Sequence, residues 1–296
     1  METRTIGDAA IPVLGLDTYN LQGDALRHLV HQALDLGYRY FDTAQVWQNE
    51  ADLGAALAAS GVLRQELFIA TRIAPDRAAP REVISATKES LAALHTDYVD
   101  LLLLHAPRPN VPMRETLEAM CMVKAAGKAR AIGVADFDTA LLQEAVSYEL
   151  DSPLRADAVE YHPYMENDSL RETALENNVL LIAYKPLAGG AAAEDLALKE
   201  IGEAHRKSAA QVALRWLVQQ EPLAILVPAL NRDELAEYAA IFDFSLGEEE
   251  MSRIAARNVE MERPVNPASR LAPDWGWPER EEEEPLRGRA SESASS

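Results

Sequence analysis

Five polar residues stand at or just beyond the C-terminal ends of short apolar runs. Asp17 follows the run 13–16, Asp42 follows 38–41, Arg72 follows 67–71, His105 follows 99–104, and Asp136 lies just past 129–134. Carboxylates, a guanidinium and an imidazole gathered in one place could move protons. Like charges sharing a pocket raise one another's pKa, which brings a carboxyl group towards neutral pH as a general acid or base. Arg72 offers Asp42 an opposite charge and a fork able to bind a carboxylate bidentately. Two readings of that pair stand side by side. It is either a structural ion pair, or Arg72 joins His105 in holding a carboxylate or enolate oxygen. Asp17 either caps the turn after it or shares a pocket with Asp42 and Asp136. His28, His31, His95 and His205 fall on or beside predicted helices and read as solvated or capping residues. No HExxH, CxxC, GxSxG or P-loop pattern occurs, so metal, thiol and triad chemistry find no support in the sequence.

These side chains need a scaffold that points strand ends to one face. The sequence supplies eight strand-like runs: 13–16, 38–41, 67–71, 99–104, 129–134, 158–161, 180–184 and 224–227. Segments with apolar residues at helical spacing separate them: 24–36, 50–60, 81–94, 114–126, 139–150, 169–177, 195–205, 208–219 and 232–242. Short apolar strands alternating with helices imply a parallel sheet covered by helices. A doubly wound open sheet is the rival, but no GxGxxG follows the first strand. Eight βα units over about 250 residues is the usual size of a closed barrel, whose chemistry lies at the strand C-termini. The predicted fold is therefore an α/β, (β/α)8 TIM barrel spanning 1–262, preceded by a β-hairpin across 5–13 around Gly7-Asp8. The pattern fails from Arg263. The segment 263–280 is expected to pack on the barrel, and the acidic, serine-rich 281–296 to be disordered.

Composition narrows the partners. Forty-eight acidic against 28 basic residues give a net charge of −20, which disfavours nucleic acid and anionic membranes. A small-molecule substrate is the expected partner, with the oligomeric state left open. Cys121 is the only cysteine, so no internal disulfide forms. No apolar run approaches membrane-spanning length and no signal-peptide core opens the chain, so a cytoplasmic location is expected.

The segment 37–57, GYRYFDTAQVWQNEADLGAAL, resembles the second βα unit of the aldo-keto reductases. ELFIATR, VDLLLLHAP, AIGVADF, VEYHPY, LIAYKPL, and SAAQVALRW before ILVP extend the similarity from about Thr5 to Trp275. The resemblance implies carbonyl reduction by NADPH at a tetrad of tyrosine, lysine, aspartate and histidine. Asp42 and His105 hold the aspartate and histidine positions, whereas Trp47 holds the tyrosine position and Arg72 the lysine position. An indole N–H donates a hydrogen bond but transfers no proton at physiological pH. The family's Ser-Asn pair and glutamine for the nicotinamide fall on Ala135-Asp136 and Ala158. Its lysine-serine pair for the adenosine phosphate falls on Ala229-Leu230, and its arginine near Glu234, a residue suited to a ribose hydroxyl. Tyr184 remains where an aromatic ring stacks on nicotinamide, and Lys185 with Gly189-Gly190 could hold a phosphate. Glu160 and His162 are structural in this resemblance.

The tetrad thus reads as degenerate, with Asp136, Tyr184 and Lys185 a vestigial site and no cofactor or metal expected. The leading expectation is non-redox acid/base chemistry (dehydration, isomerisation or cyclisation) on a small metabolite. Asp42, Trp47, Arg72 and His105 would form the catalytic set, and Asp17, Tyr19, Trp47 and Trp275 the substrate pocket. The alternatives are an oxidoreductase using NADP(H) or NAD(H) with His105 as proton donor, and an inactive binding barrel.

Overall fold

The computed structural model describes residues 2–7, 9–108, 110–165 and 167–258. The expected tail, with Trp275 and the divisions at 263–280 and 281–296, lies outside the described residues. Strands β1 (Thr3–Ile6) and β2 (Ala9–Pro12) form an antiparallel hairpin. Then β3 (Leu14–Asp17), β4 (Tyr40–Asp42), β5 (Phe68–Ile73), β6 (Val99–Leu104), β7 (Ala129–Ala135), β8 (Ala156–Glu160), β9 (Leu180–Tyr184) and β10 (Leu223–Val227) run parallel. They close into a barrel as β10 pairs with β3, Val227 opposite Leu16. Helices α1 (Gly23–Asp35), α2 (Glu50–Ala59), α3 (Pro80–Ala93), α4 (Met113–Ala125), α5 (Thr139–Val146) and α6 (Asp168–Glu176) alternate with the strands. Short α7 (Ala191–Glu194), α8 (Leu196–His205) and α9 (Ala209–Val218) precede β10, and α10 (Arg232–Ala239) and α11 (Glu248–Ala255) follow it. No helix among the described residues is long and apolar enough to cross a membrane.

The predicted strands are all present, two with the expected bounds and the others with ends shifted by at most two residues. The shift that matters is at β5: its ladder runs on through Arg72 opposite Leu103, so Arg72 lies inside a strand. Asp195 opens α8 as its cap, accepting from the Ala197 and Leu198 N–H groups, so α7 is a separate turn. Helix α11 has no counterpart in the sequence-based expectations. Three glutamates occupy its first turn, where they favour the helix dipole, and Glu250 accepts from the Gly247 N–H at 2.8 Å.

Two cores follow from strand alternation. Residues facing outward pack against the helices in one cluster. Inward-facing Tyr40, Phe68, Ala70, Leu101, Leu103, Ala131, Ala158, Ile182 and Leu226 fill the barrel, joined by Ile6, Ala9 and Ile11 of the hairpin. The hairpin therefore plugs the N-terminal end. Gly15 also faces inward, and its lack of a side chain admits the Tyr40 ring, which packs edge-on to Phe68 at 4.9 Å. A Cβ on Gly15 would stand 2.4 Å from that ring and 2.9 Å from Leu226.

Gly15→Ala removes backbone entropy from the unfolded chain, worth up to about 1 kcal/mol. Overpacking costs typically about 1–3 kcal/mol, and here it wins. Urea unfolding should therefore show a net loss in Gly15→Ala, and most of it should disappear when Tyr40→Ala is added. A Gly15→Ala protein as stable as the parent would refute the packing argument.

Candidate active site

The inward parity that fills the barrel also sets its rim. Two residues beyond Gly15, Tyr40, Ala70, Leu103 and Ile182 come Asp17, Asp42, Arg72, His105 and Tyr184. Asp136 lies beside them, one residue past β7, with its backbone at φ 59° and its N–H donated to the Ala158 carbonyl at 2.9 Å. The structure thus brings together Asp17, Asp42, Arg72, His105, Asp136 and Tyr184, while Trp275 lies outside the described residues.

At the centre, Arg72 Nη2 donates to Asp42 Oδ2 at 2.6 Å, with both side chains almost wholly buried. The bidentate pair that the sequence permits does not form. Asp42 Oδ1 and Arg72 Nε are buried with no hydrogen-bond partner among the described residues. Burial pushes the Asp42 pKa up, Arg72 pulls it back, and Asp17 raises it again, leaving it at about 7. Burial opposes the Arg72 charge, but Asp42, Asp17, Asp136 and Tyr40 outweigh it and keep the guanidinium protonated.

Both readings of Asp17 hold at once. Its Oδ1 accepts from the Tyr19 N–H at 2.8 Å, which caps the turn. Its pKa is nonetheless raised by burial, against the pull of that hydrogen bond and of Arg72. His105 continues the ladder by donating its backbone N–H to the Ile73 carbonyl. Burial, then the Arg72 charge, drives its pKa down to about 3, so its ring is neutral throughout the physiological range. A neutral imidazole can donate one hydrogen bond, but it is no reservoir of a mobile proton.

Trp47 ends a short 3-10 turn, Gln45–Trp47. Its ring centre lies 5.1 Å from Arg72 Cζ, and the Tyr19 ring meets it edge-on at 5.4 Å. Trp47 thus roofs the guanidinium, with Tyr19 packed against it. The loop that carries Trp47 is anchored by residues to which sequence reasoning gave no role. Gln45 donates to the Ala86 carbonyl and accepts from the Ala74 N–H. Asn49 donates to the Thr18 and Leu21 carbonyls and accepts from Thr43 Oγ1 at 2.6 Å, tying the β3 loop to the β4 loop. Glu50 accepts from Thr71 Oγ1 at 2.6 Å. The legible signal was Asn49-Glu50 itself, a polar pair at a helix start that the structure buries.

On the far side, Tyr184 donates its hydroxyl to Asp136 Oδ1 at 2.5 Å, which fixes the half-buried ring at the mouth. Lys185 is exposed and lies 3.5 Å from Glu160, which also meets His162 at 3.7 Å. Contact with His162, and after it Lys185, holds the Glu160 carboxylate below its usual pKa despite partial burial. Glu160 and His162 are thus tied into a structural bridge. Gly189 and Gly190 adopt φ of 64° and 99° with open space where side chains would stand. This is a loop able to turn its amides towards an anion. At the start of α10, Glu234 accepts from the Leu230 N–H at 2.8 Å and from Asn231 Nδ2 at 3.1 Å.

Asp42 makes stability depend on pH in a sense opposite to that of an ordinary paired carboxylate. Its folded pKa, near 7, lies above the unfolded value, so the native state binds the proton more tightly. That contribution is fully present below about pH 4 and is lost as pH rises towards 7. Asp42→Asn should flatten this part of the stability–pH curve in urea titrations between pH 4.5 and 7.5 (both on the order of the window given by these pKa values). At about pH 7.5 the neutral amide should be at least as stable as the parent, because the folded site disfavours the ionised carboxylate even with Arg72 beside it. An unchanged slope would show that Asp42 does not titrate there.

Comparison with known proteins then bears on identity. The profile of the Aldo/keto reductase family matches residues 14–258. Methylglyoxal reductase DkgB of Escherichia coli O157:H7 is 35% identical over 268 residues, covering 90% of this chain and 99% of that protein. A protein named aldo-keto reductase from Mycolicibacterium paratuberculosis (strain ATCC BAA-968 / K-10) is 34% identical over 265 residues, covering 89% and 91%. A crystal structure assigned as a 2,5-diketo-D-gluconic acid reductase B superposes with a TM-score of 0.85 at 42% identity, covering 90% of this chain and 94% of that one. These findings correct two sequence-based expectations. Relatives this similar are named reductases and nothing in them indicates non-redox chemistry, so dehydration, isomerisation and cyclisation are set aside. The expectation of no cofactor falls with them, since reductases of this kind use NADP(H). On the match over most of its length and on the closed barrel with its rim, the chain belongs to the aldo/keto reductase family.

Proposed function

We propose that this protein is a cytoplasmic oxidoreductase that reduces a small, polar carbonyl compound at the expense of a nicotinamide dinucleotide, NADP(H) in its relatives. The substrate class suggested by those relatives is a 2-oxoaldehyde or a diketo acid, in which the reacting carbonyl has a second oxygen function beside it. The observation that carries the reading is the convergence of Asp42, Arg72 and His105 at the strand C-termini of a barrel 35% identical to a methylglyoxal reductase.

The residues present fit the dinucleotide at three places. The Tyr184 ring, locked by its hydrogen bond to Asp136, offers a flat face for the nicotinamide. Lys185 and the Gly189-Gly190 loop would hold phosphate oxygens. Glu234 would meet ribose hydroxyls. When bound, the dinucleotide supplies the hydride.

This chain does the rest electrostatically. The neutral His105 ring donates its N–H to the carbonyl oxygen and sets the direction of approach. The Arg72 guanidinium beneath Trp47 stabilises the negative charge that grows on that oxygen, and it acts strongly because it is buried. Asp42 holds Arg72 in place through the 2.6 Å contact. Trp47, in the tyrosine position, packs over the cation and keeps water from it, but supplies no proton.

Oxidation of NADPH and of NADH, followed with methylglyoxal and with a diketo acid, tests the reading. His105→Ala should lower kcat/KM by about 10²–10³, the usual effect of losing one donor to a developing oxyanion. Coenzyme at 100 times its Kd should still stabilise this variant by about 2.7 kcal/mol, as it does the parent. A folded parent protein that neither binds nor oxidises either coenzyme would overturn the proposal.

A further inference from the structure

The reductase reading leaves one reagent without a source: the proton that converts the reduced carbonyl to an alcohol. Trp47 has none to give, and His105 is neutral. The rim holds a candidate in Asp17 and Asp42. They are register partners at the ends of β3 and β4, both facing into the barrel. Adjacent strands lie about 4.8 Å apart, which makes the two carboxyl groups neighbours.

Charge counting favours a proton between them. The groups facing this spot are Tyr40 below, Arg72 on β5, His105 at the end of β6, Asp136 past β7 and Tyr184 on β9. His105, Tyr40 and Tyr184 are uncharged, since burial and the nearby acids keep both phenols protonated. Asp136 accepts the Tyr184 hydroxyl and acts on Arg72 from beside the pair. Two carboxylates then face one guanidinium, with a third acid close by. Desolvated charge that is not balanced is expensive, and taking up one proton removes the excess.

Hydrogen bonding identifies the atom. Asp42 Oδ2 is taken by Arg72, whereas Oδ1 is fully buried and meets no donor among the described residues. The Tyr40 hydroxyl, two residues back on the same inward face, is likewise buried without a partner. Asp17 differs from Asp42 in one respect that matters: it is only half-buried, so it reaches the mouth.

We propose that Asp17 and Asp42 share one proton and that Asp17 delivers it to the substrate carbonyl, in place of the phenol whose position Trp47 occupies. The proposal rests on the reductase reading. In the step, hydride adds to the carbonyl carbon and the C=O π pair shifts to oxygen. That oxygen takes the carboxyl proton, and the O–H electrons stay on the carboxylate. A bound dinucleotide would supply the two electrons of the hydride, the carbonyl would be reduced to an alcohol, and solvent at the exposed edge of Asp17 would return one proton per turnover. Asp42 does not touch the substrate. It is a positioning residue that stores the proton and is itself held by Arg72. Burial and mutual repulsion, which raise the pKa of both acids, keep the proton available near neutrality.

The test is Asp17→Asn, whose Oδ1 can still accept the Tyr19 N–H, with Asp17→Ser as a second variant that keeps a capping oxygen. Carbon-13 NMR of aspartate carboxyl groups gives a readout independent of turnover. The parent should show a carboxyl titrating near pH 7, and removing Asp17 should move it down, because a like charge is gone. In kinetics, kcat should fall by about 10²–10⁴, the usual worth of a positioned acid, while coenzyme affinity stays constant. The fall in kcat as pH rises through the parent's titration should also vanish. Either variant keeping the parental kcat and pH profile would overturn delivery by Asp17. A parent with no aspartate titrating above about pH 6 would overturn the shared proton. A parent that turns over no carbonyl with either coenzyme sinks the reductase reading and the delivery step together, while the titration alone still decides the shared proton.

Discussion

The 2.6 Å contact between Arg72 and Asp42 is the constraint around which the mouth of this barrel is arranged. Taking both charges out of water costs several kcal/mol per ion, and a single hydrogen bond does not fully offset it. The surroundings show how the remainder is shared. Trp47 lies over the guanidinium, Asp17 and Asp136 add negative potential, and Asp42 is drawn towards its protonated form. A bidentate pair would have satisfied both groups and lowered the Asp42 pKa. The one-point contact leaves the carboxyl group titratable in the range where cells operate.

The same contact explains why His105 behaves as it does. A permanent cation beside a buried imidazole works in the same direction as desolvation, and both favour the neutral ring. The site therefore separates two duties that one phenol could have combined. In the proposed reduction, hydrogen bonding to the carbonyl falls to a neutral ring and a guanidinium, and proton storage falls to acids. Loop anchoring by Gln45, Asn49 and Glu50 matters here, because a shift of the turn bearing Trp47 would admit water to the pair. Water would restore the ordinary pKa of each group.

The relatives correct a line of argument built on single contacts. Replacing the tyrosine, the lysine and the nicotinamide partners looked like the end of hydride chemistry when each loss was counted separately. Similarity to named reductases over nine-tenths of the chain weighs the other way. Binding and catalysis are not sums of separable contacts. A ring fixed as Tyr184 is, and a cation buried as Arg72 is, change what the neighbouring positions must do.

Much of this was legible in the sequence, for a physical reason. Strand alternation is a local property with period two, so the residues two places beyond buried Tyr40, Ala70, Leu103 and Ile182 were bound to point into the barrel mouth. Eight short apolar runs between helices specified the closed parallel sheet, and the rim of Asp17, Asp42, Arg72, His105 and Tyr184 came with it. What the sequence could not decide was how those groups pair and which of them carry protons. The one-point Arg72–Asp42 contact, the Tyr184–Asp136 hydrogen bond, the packing of Tyr19 on Trp47 and the neutrality of His105 all involve residues from different strands or loops. Hydrogen-bond geometry and desolvation depend on three-dimensional separation and on exclusion of water, and both quantities come into being only when the barrel closes.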